Sequence, residues 1–136
     1  MASAHALLGL GEANPVETVR ALEKGLSTRN LGRLKAALDV SWDELARLLQ
    51  MAPRTLKRRQ QAGRLQTGES ERALRIARTF DLALQLFEGD ARAARDWLSR
   101  PRAVLGGRAP LDFAITEPGA RAVEELIGRL EAGVFS

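Results

Sequence analysis

The 136-residue chain carries 21 Lys and Arg against 17 Asp and Glu, and its 45% hydrophobic and 28% charged residues give the balance of a folded domain rather than a disordered segment. It has no cysteine, which excludes a disulfide frame and a thiolate metal site, and no apolar run approaches the roughly 18 residues that cross a bilayer. A soluble, cytoplasmic chain is expected, forming one domain or two small ones that share a helix. Leu, Ala and Arg dominate, β-branched residues are few and tyrosine is absent, so the expected fold is all-α.

Residues 1–14 show no sustained period and contain Gly9 and Gly11, which predicts a mobile arm with a short turn at Ala6–Leu10. Asn14-Pro15 then reads as an N-cap followed by a first-turn proline. It opens a short helix through Val16, Val19 and Leu22 that Gly25 ends. This helix either pads the core that follows or sits against a second copy of the protein. Thr28 is placed to cap the next helix, whose Leu31, Leu34 and Leu38 form a stripe with Ala37 beside it.

From Ser41 to Arg64 two short helices are joined by a tight turn. Ser41 and Glu44 have the spacing of a capping box, and Trp42, Leu45 and Leu49 share one face. The pattern breaks around Gln50-Met51-Ala52. Pro53 restarts a helix that carries Arg54, Lys57, Arg58 and Arg59 and stops near Gly63. A basic second helix after such a turn is the helix-turn-helix signature. Charge separates it from a solvated basic helix in an ordinary bundle. Between Arg29 and Arg64 nine Lys and Arg stand against Asp39, Asp43 and Glu44, whereas the flanking segments are each slightly acidic. A basic surface on an otherwise near-neutral chain is what phosphate binding requires, because each neutralised phosphate releases counterions. Arg54, Lys57 and Arg58 share a face, while Leu56 points into the core.

Thr67 is placed to cap the longest helix, with Glu69 and Glu71 in its first turn, and the helix runs to about Phe87. Its first half is amphipathic through Ala73, Leu74, Ile76, Ala77 and Phe80. Its second half is apolar on almost every side, which predicts a helix shared by two cores. Asp90 caps a shorter helix burying Ala91, Ala94, Trp97 and Leu98, and Pro101 closes it. A loop held by Gly106-Gly107 runs to Pro110, and residues 111–115 make roughly one turn of helix. Thr116 caps the last helix, whose stripe is Ala122, Val123, Leu126, Ile127 and Leu130. Gly133 ends it, leaving the tail Val134-Phe135-Ser136.

Nothing in this pattern points to an enzyme, a cofactor or a metal. The only histidine, His5, lies in the N-terminal arm. Asp43/Glu44 and Glu124/Glu125 are adjacent in sequence and so diverge on a helix. Gly106-Gly107 lacks the remainder of any phosphate-loop pattern.

The C-terminal half has an ordered set of features: Trp97-Leu98, Pro101, Leu105-Gly106-Gly107, Pro110, Thr116 with Gly119, then Arg129 and Gly133. In this order they resemble the toxin-binding domain of Xre/MbcA/ParS-like antitoxins. The Thr55–Arg59 run and the Glu69–Arg72 helix start are similar to that family's Xre-type helix-turn-helix. The resemblance spans about residues 28–136. It implies a helix-turn-helix at 28–66 and a bridging helix at 67–89, followed by a small helical toxin-binding domain at 90–136. Residues 1–27, an arm and short helix, carry no motif of the family. It further implies a type II antitoxin that inhibits a RES-domain toxin, an enzyme that consumes NAD⁺. Such an antitoxin is usually a dimer within a larger complex and represses its own operon. The DNA-binding residues implied are Arg54, Thr55, Lys57, Arg58, Arg59 and Arg64. Those implied for the toxin are Trp97, Leu105, Gly106, Gly107, Arg108, Arg129, Val134, Phe135 and Ser136. Within that set Gly106 and Gly107, like Pro110 and Gly119, are expected mainly to fix a loop. Phe135, beyond the helix-ending glycine, either folds back or is received by another protein. The alternative reading is a stand-alone helix-turn-helix regulator whose C-terminal half dimerises or senses a ligand.

Overall fold

The computed structural model describes residues 4–10 and 14–133, and among them the only regular elements are helices. In chain order these are α1 (Ala4–Leu7), α2 (Pro15–Lys24), α3 (Leu31–Leu38), α4 (Trp42–Leu48), α5 (Pro53–Ala62), α6 (Thr67–Leu86), α7 (Ala91–Ser99), α8 (Pro110–Phe113) and α9 (Glu117–Glu131). Short 3-10 turns at Thr28–Asn30 and Ala103–Leu105 punctuate them. The expected architecture is therefore observed: a helix-turn-helix region and a C-terminal helical region, both packed on one long helix.

That helix is α6. Helices α1, α2 and α3 pack on it, and so do α7, α8 and α9. Ala73, Ile76, Ala77, Phe80, Ala83 and Leu84 are all buried along it, and Leu82, Leu86 and Phe87 are half-buried against the same core. An element apolar on most sides finds cover only by being surrounded. From the N-terminal half the core receives Leu31, Leu34, Leu38, Leu45, Leu49 and Leu56, and from the C-terminal half Ala94, Leu98, Leu111, Val123 and Ile127.

Local caps set most helix starts as the sequence indicates. Asn14 Oδ1 accepts the Glu17 N–H at 2.9 Å, Ser41 Oγ the Glu44 N–H at 3.0 Å, Asp90 Oδ1 the Ala93 N–H at 3.1 Å and Thr116 Oγ1 the Gly119 N–H at 3.2 Å. Three caps differ. Ser27, not Thr28, caps the 3-10 turn, because Thr28 is buried and its N–H donates to the Gly63 carbonyl. Gln66, not Thr67, precedes α6. Its N–H donates to Glu69, while the Thr67 hydroxyl donates to the Glu23 carbonyl. Glu44 does not close a capping box, since its carboxylate is taken by Arg47 through two hydrogen bonds of 2.7 and 2.8 Å.

The N-terminal segment also differs from expectation. Its described residues form α1, and Leu8 is buried in the core at 2% exposure, with Asn30 Nδ2 donating to its carbonyl. The weak periodicity of so short a helix hides a single anchoring leucine. Gly119 shows a steric requirement in the first turn of α9: a Cβ there would run into the Phe113 carbonyl.

Candidate DNA-binding and partner-binding sites

The turn between α4 and α5 is built by backbone geometry and one arginine. Gln50 takes a left-handed conformation (φ 55°), the Met51 N–H returns to the Ala46 carbonyl at 2.8 Å, and the Met51 side chain is buried. Arg72 of α6 donates through Nε to the Leu49 carbonyl, which fixes the turn to the long helix. Leu56 anchors α5 from beneath, and Gly63 caps its C-terminus.

A second clasp fastens the other end of α5. Arg59 Nε lies 2.8 Å from Glu69 Oε1, and both side chains are largely buried, at 16% and 8% exposure. The same carboxylate oxygen accepts the Gln66 N–H at 2.8 Å. Burial pushes the Glu69 carboxyl up, but the Arg59 hydrogen bond, the Gln66 amide and the charges of Arg59 and Arg72 outweigh it, so its pKa lies below the ordinary value. The hydrogen bond to Glu69 correspondingly holds the Arg59 pKa above its usual value.

The cations of this segment therefore divide by what they touch. Arg54, Lys57 and Arg58 are exposed on α5, and among the described residues none of them forms an ion pair within the chain. Thr55 is half-buried beside them. Arg59 is spent on α6, and Arg64 donates through Nη1 to the Gly25 carbonyl at 2.7 Å while remaining exposed. Sequence reading passed over Arg29, an exposed cation on the 3-10 turn that packs against α5. Its membership of the basic run was the available signal.

The C-terminal candidates gather around the loop after α7. The Arg102 N–H donates to the Arg108 carbonyl at 3.1 Å and the Gly107 N–H returns to the Arg102 carbonyl at 2.9 Å, closing a tight ring. Gly106 and Gly107 take φ of 68° and 84°, which explains the paired glycines by backbone need. Trp97 is half-buried at the end of α7, with the Arg102 guanidinium 5.2 Å over its ring and donating to its carbonyl. Leu105 is buried, so its side chain holds the loop down. Arg108 is exposed, 5.9 Å over the Phe113 ring. On the same loop Val104 is 65% exposed, a residue the motif reading did not single out. Arg129 is exposed in the last turn of α9. Val134, Phe135 and Ser136 lie outside the described residues.

Arginines also tie the two halves together. Arg47 of α4 bonds both Glu44 and Asp112 of α8, and these hydrogen bonds raise its pKa above the usual guanidinium value. Arg95 of α7 donates to the Ala37 carbonyl at 3.3 Å, and Arg75 of α6 donates to the Ile115 carbonyl at 3.1 Å. A cleft of about 750 Å³ lies between α3 and α4 on one wall and α7 and α8 on the other, with Arg47 and Asp112 among its lining. Among the described residues no carboxylate or histidine cluster suits a metal, and no helix is long and apolar enough to cross a membrane.

An exposed basic helix on a helix-turn-helix, coupled through a shared helix to a second helical module, defines a two-part binding protein. Comparison with known families supplies both parts. Residues 17–78 match the antitoxin Xre-like helix-turn-helix domain, and residues 82–133 match the antitoxin Xre/MbcA/ParS C-terminal toxin-binding domain. Antitoxin Xre of Yersinia enterocolitica is 37% identical over 130 residues, spanning 95% of this chain and 88% of that protein. Antitoxin Xre of Photorhabdus laumondii is 42% identical over 74 residues, 54% of this chain and half of that protein. A third relative, antitoxin Xre of Pseudomonas putida, is 35% identical over 81 residues, 59% of this chain and half of that protein. The chain belongs to the Xre antitoxin family, and its two domains are those of a type II antitoxin.

Proposed function

We propose that this antitoxin neutralises a RES-domain toxin that consumes NAD⁺ and represses its own operon, acting in the cytoplasm as a dimer within a larger toxin–antitoxin complex. The helix-turn-helix occupies residues 28–66, α6 serves as the bridge at 67–89, residues 90–136 hold the toxin, and residues 1–27 brace the core. Arg54, Lys57 and Arg58 contact the operator, with Thr55 and Arg64 at the margin of that surface and Arg59 acting by orienting α5. Trp97, Leu105, Gly106 and Gly107 shape the loop that presents Arg108, with Arg129 and the tail Val134–Ser136 completing the toxin-facing surface.

The observation that carries this reading is the division of the exposed groups. Arg54, Lys57 and Arg58 cluster exposed on α5 and among the described residues form no ion pair, whereas exposed Val104 and Arg108 stand on a hydrogen-bonded loop in the other half. Phosphate binding needs the first kind of surface and a protein partner the second. Co-expression with a RES-domain protein tests it directly. Co-purification of the two chains, with NAD⁺ consumption by the toxin falling as antitoxin is added, is the expected result. A chain that binds DNA and leaves NAD⁺ consumption untouched would instead be a stand-alone regulator.

A further inference from the structure

The tip of the loop after α7 is apolar. Residues 103–107 read Ala-Val-Leu-Gly-Gly and carry no polar side chain. A turn that only faces water is ordinarily built from Asn, Asp, Ser, Gly and Pro. Leu105 is buried beneath the loop, whereas Val104 is the most exposed large hydrophobic among the described residues. The backbone that carries Val104 is fixed on both sides. The Arg102 carbonyl accepts the N–H groups of Leu105 and Gly107 at 3.0 and 2.9 Å, and the Gly106 N–H returns to the Ala103 carbonyl at 3.0 Å. A knob held this way loses little conformational freedom when a partner receives it.

Charge and ring packing select what receives it. The two arms of the loop carry Arg102 and Arg108, and each guanidinium lies over an aromatic ring, those of Trp97 and Phe113. Stacking of this kind restrains a guanidinium while its N–H edge stays free to donate. Residues 97–111 contain three arginines and no Asp or Glu. The acids at either end are engaged elsewhere, Asp96 by Arg100 at 2.9 Å and Asp112 by Arg47. Among the described residues neither Arg102 nor Arg108 forms an ion pair, so the loop keeps its positive charge. Phosphates would suit the arginines and leave the apolar tip in water. A protein surface with an apolar socket and an acidic rim suits both. Arginine and aromatic side chains around an apolar centre are also the composition in which binding energy concentrates. We propose that Val104 anchors the toxin by entering an apolar socket whose rim presents carboxylates to Arg108. Arg102, half-buried on Trp97, positions that arm of the loop. The proposal rests on the reading that the C-terminal half holds the toxin, and adds the anchoring residue and the chemistry of its receptor.

Titration calorimetry of the full chain against the purified RES-domain toxin, at low and high salt, tests this. Val104→Ala should weaken binding about tenfold, through the loss of two buried methyl groups. Val104→Asp should weaken it about a hundredfold, since it sets a carboxylate against an apolar socket and an acidic rim. Arg108→Glu should weaken binding about a hundredfold at about 0.05 M salt and much less at about 0.5 M, where screening removes the repulsion. All three should keep the wild-type circular dichroism spectrum and operator affinity, because Val104 and Arg108 are exposed. Wild-type toxin affinity in Val104→Asp overturns the proposal and leaves the toxin-binding reading standing. An Arg108→Glu deficit equal at both salt concentrations removes the acidic rim and overturns it as well. Loss of operator affinity in Arg108→Glu would assign the loop to DNA and reject the socket. A wild-type chain that does not hold the RES-domain protein refutes the toxin reading itself, and the proposal with it.

Discussion

The clasp between α5 and α6 offers the sharpest test of how the recognition helix is held. In Glu69→Gln the amide oxygen can still accept the Gln66 N–H, so the start of α6 survives in neutral form, but the charge opposite Arg59 is lost. Hydrogen bonds to charged groups contribute about 1.5–3 kcal/mol and neutral ones about 0.5–1.5 kcal/mol, so the substitution should cost about 1–2 kcal/mol. The larger penalty of breaking a fully buried pair, about 3–5 kcal/mol, does not apply, because the Arg59 side chain keeps 16% exposure and can reach water. Urea titration followed by Trp42 and Trp97 fluorescence would read the difference. The pH dependence fixes its origin. The folded-state pKa of Glu69 is held below the ordinary value of 4.5, so its stabilisation is fully present above that value and lost as pH falls through the lower folded one. The gap between wild type and Glu69→Gln should therefore be widest near neutrality and close in acid. Equal stability near neutrality, or a gap that does not narrow as the solution is made progressively more acidic, would refute the clasp.

Arg54→Ala with Arg58→Ala should abolish operator binding in a gel-shift titration at fixed salt and spare toxin neutralisation, each lost base contact costing about 1–3 kcal/mol. Lys57→Ala should reduce the salt slope of operator binding by about one unit if it contacts a phosphate. Gly119→Ala should cost about 1–3 kcal/mol in thermal or urea unfolding, because the new Cβ meets the Phe113 carbonyl, and retained wild-type stability would show that the α8–α9 junction yields. Deleting Val134–Ser136 should weaken neutralisation by tens of times if Phe135 is buried by the toxin, since full burial of a phenylalanine contributes about 1.5–3 kcal/mol. A truncated chain that inhibits as well as the full one, read by NAD⁺ consumption, would leave inhibition to the Arg102–Arg108 loop and α9.

Sequence alone determined the parts of this protein that depend on local chemistry. Helical periodicity located the stripes of α3, α6 and α9, and that of α4 except for Trp42, which is exposed. The caps at Asn14, Ser41, Asp90 and Thr116 needed only a side-chain oxygen one turn before its N–H, which is a property of spacing. The basic run and the ordered glycines and prolines sufficed to indicate the family. Long-range contacts decided the rest. Nothing within a few residues of Arg59 shows that its charge is consumed by Glu69, or that Arg64 donates to the Gly25 carbonyl. The cap shifts at Thr28 and Thr67 arise the same way, since each residue bonds to backbone far along the chain, at Gly63 and Glu23. Leu8 has no periodic partner to announce it, yet it is buried because α1 packs on α6. The exposed valines of α2 invert that case. Their spacing announces a buried stripe, and the single chain leaves them uncovered, because amphipathic periodicity records that a face must be covered and not which molecule covers it.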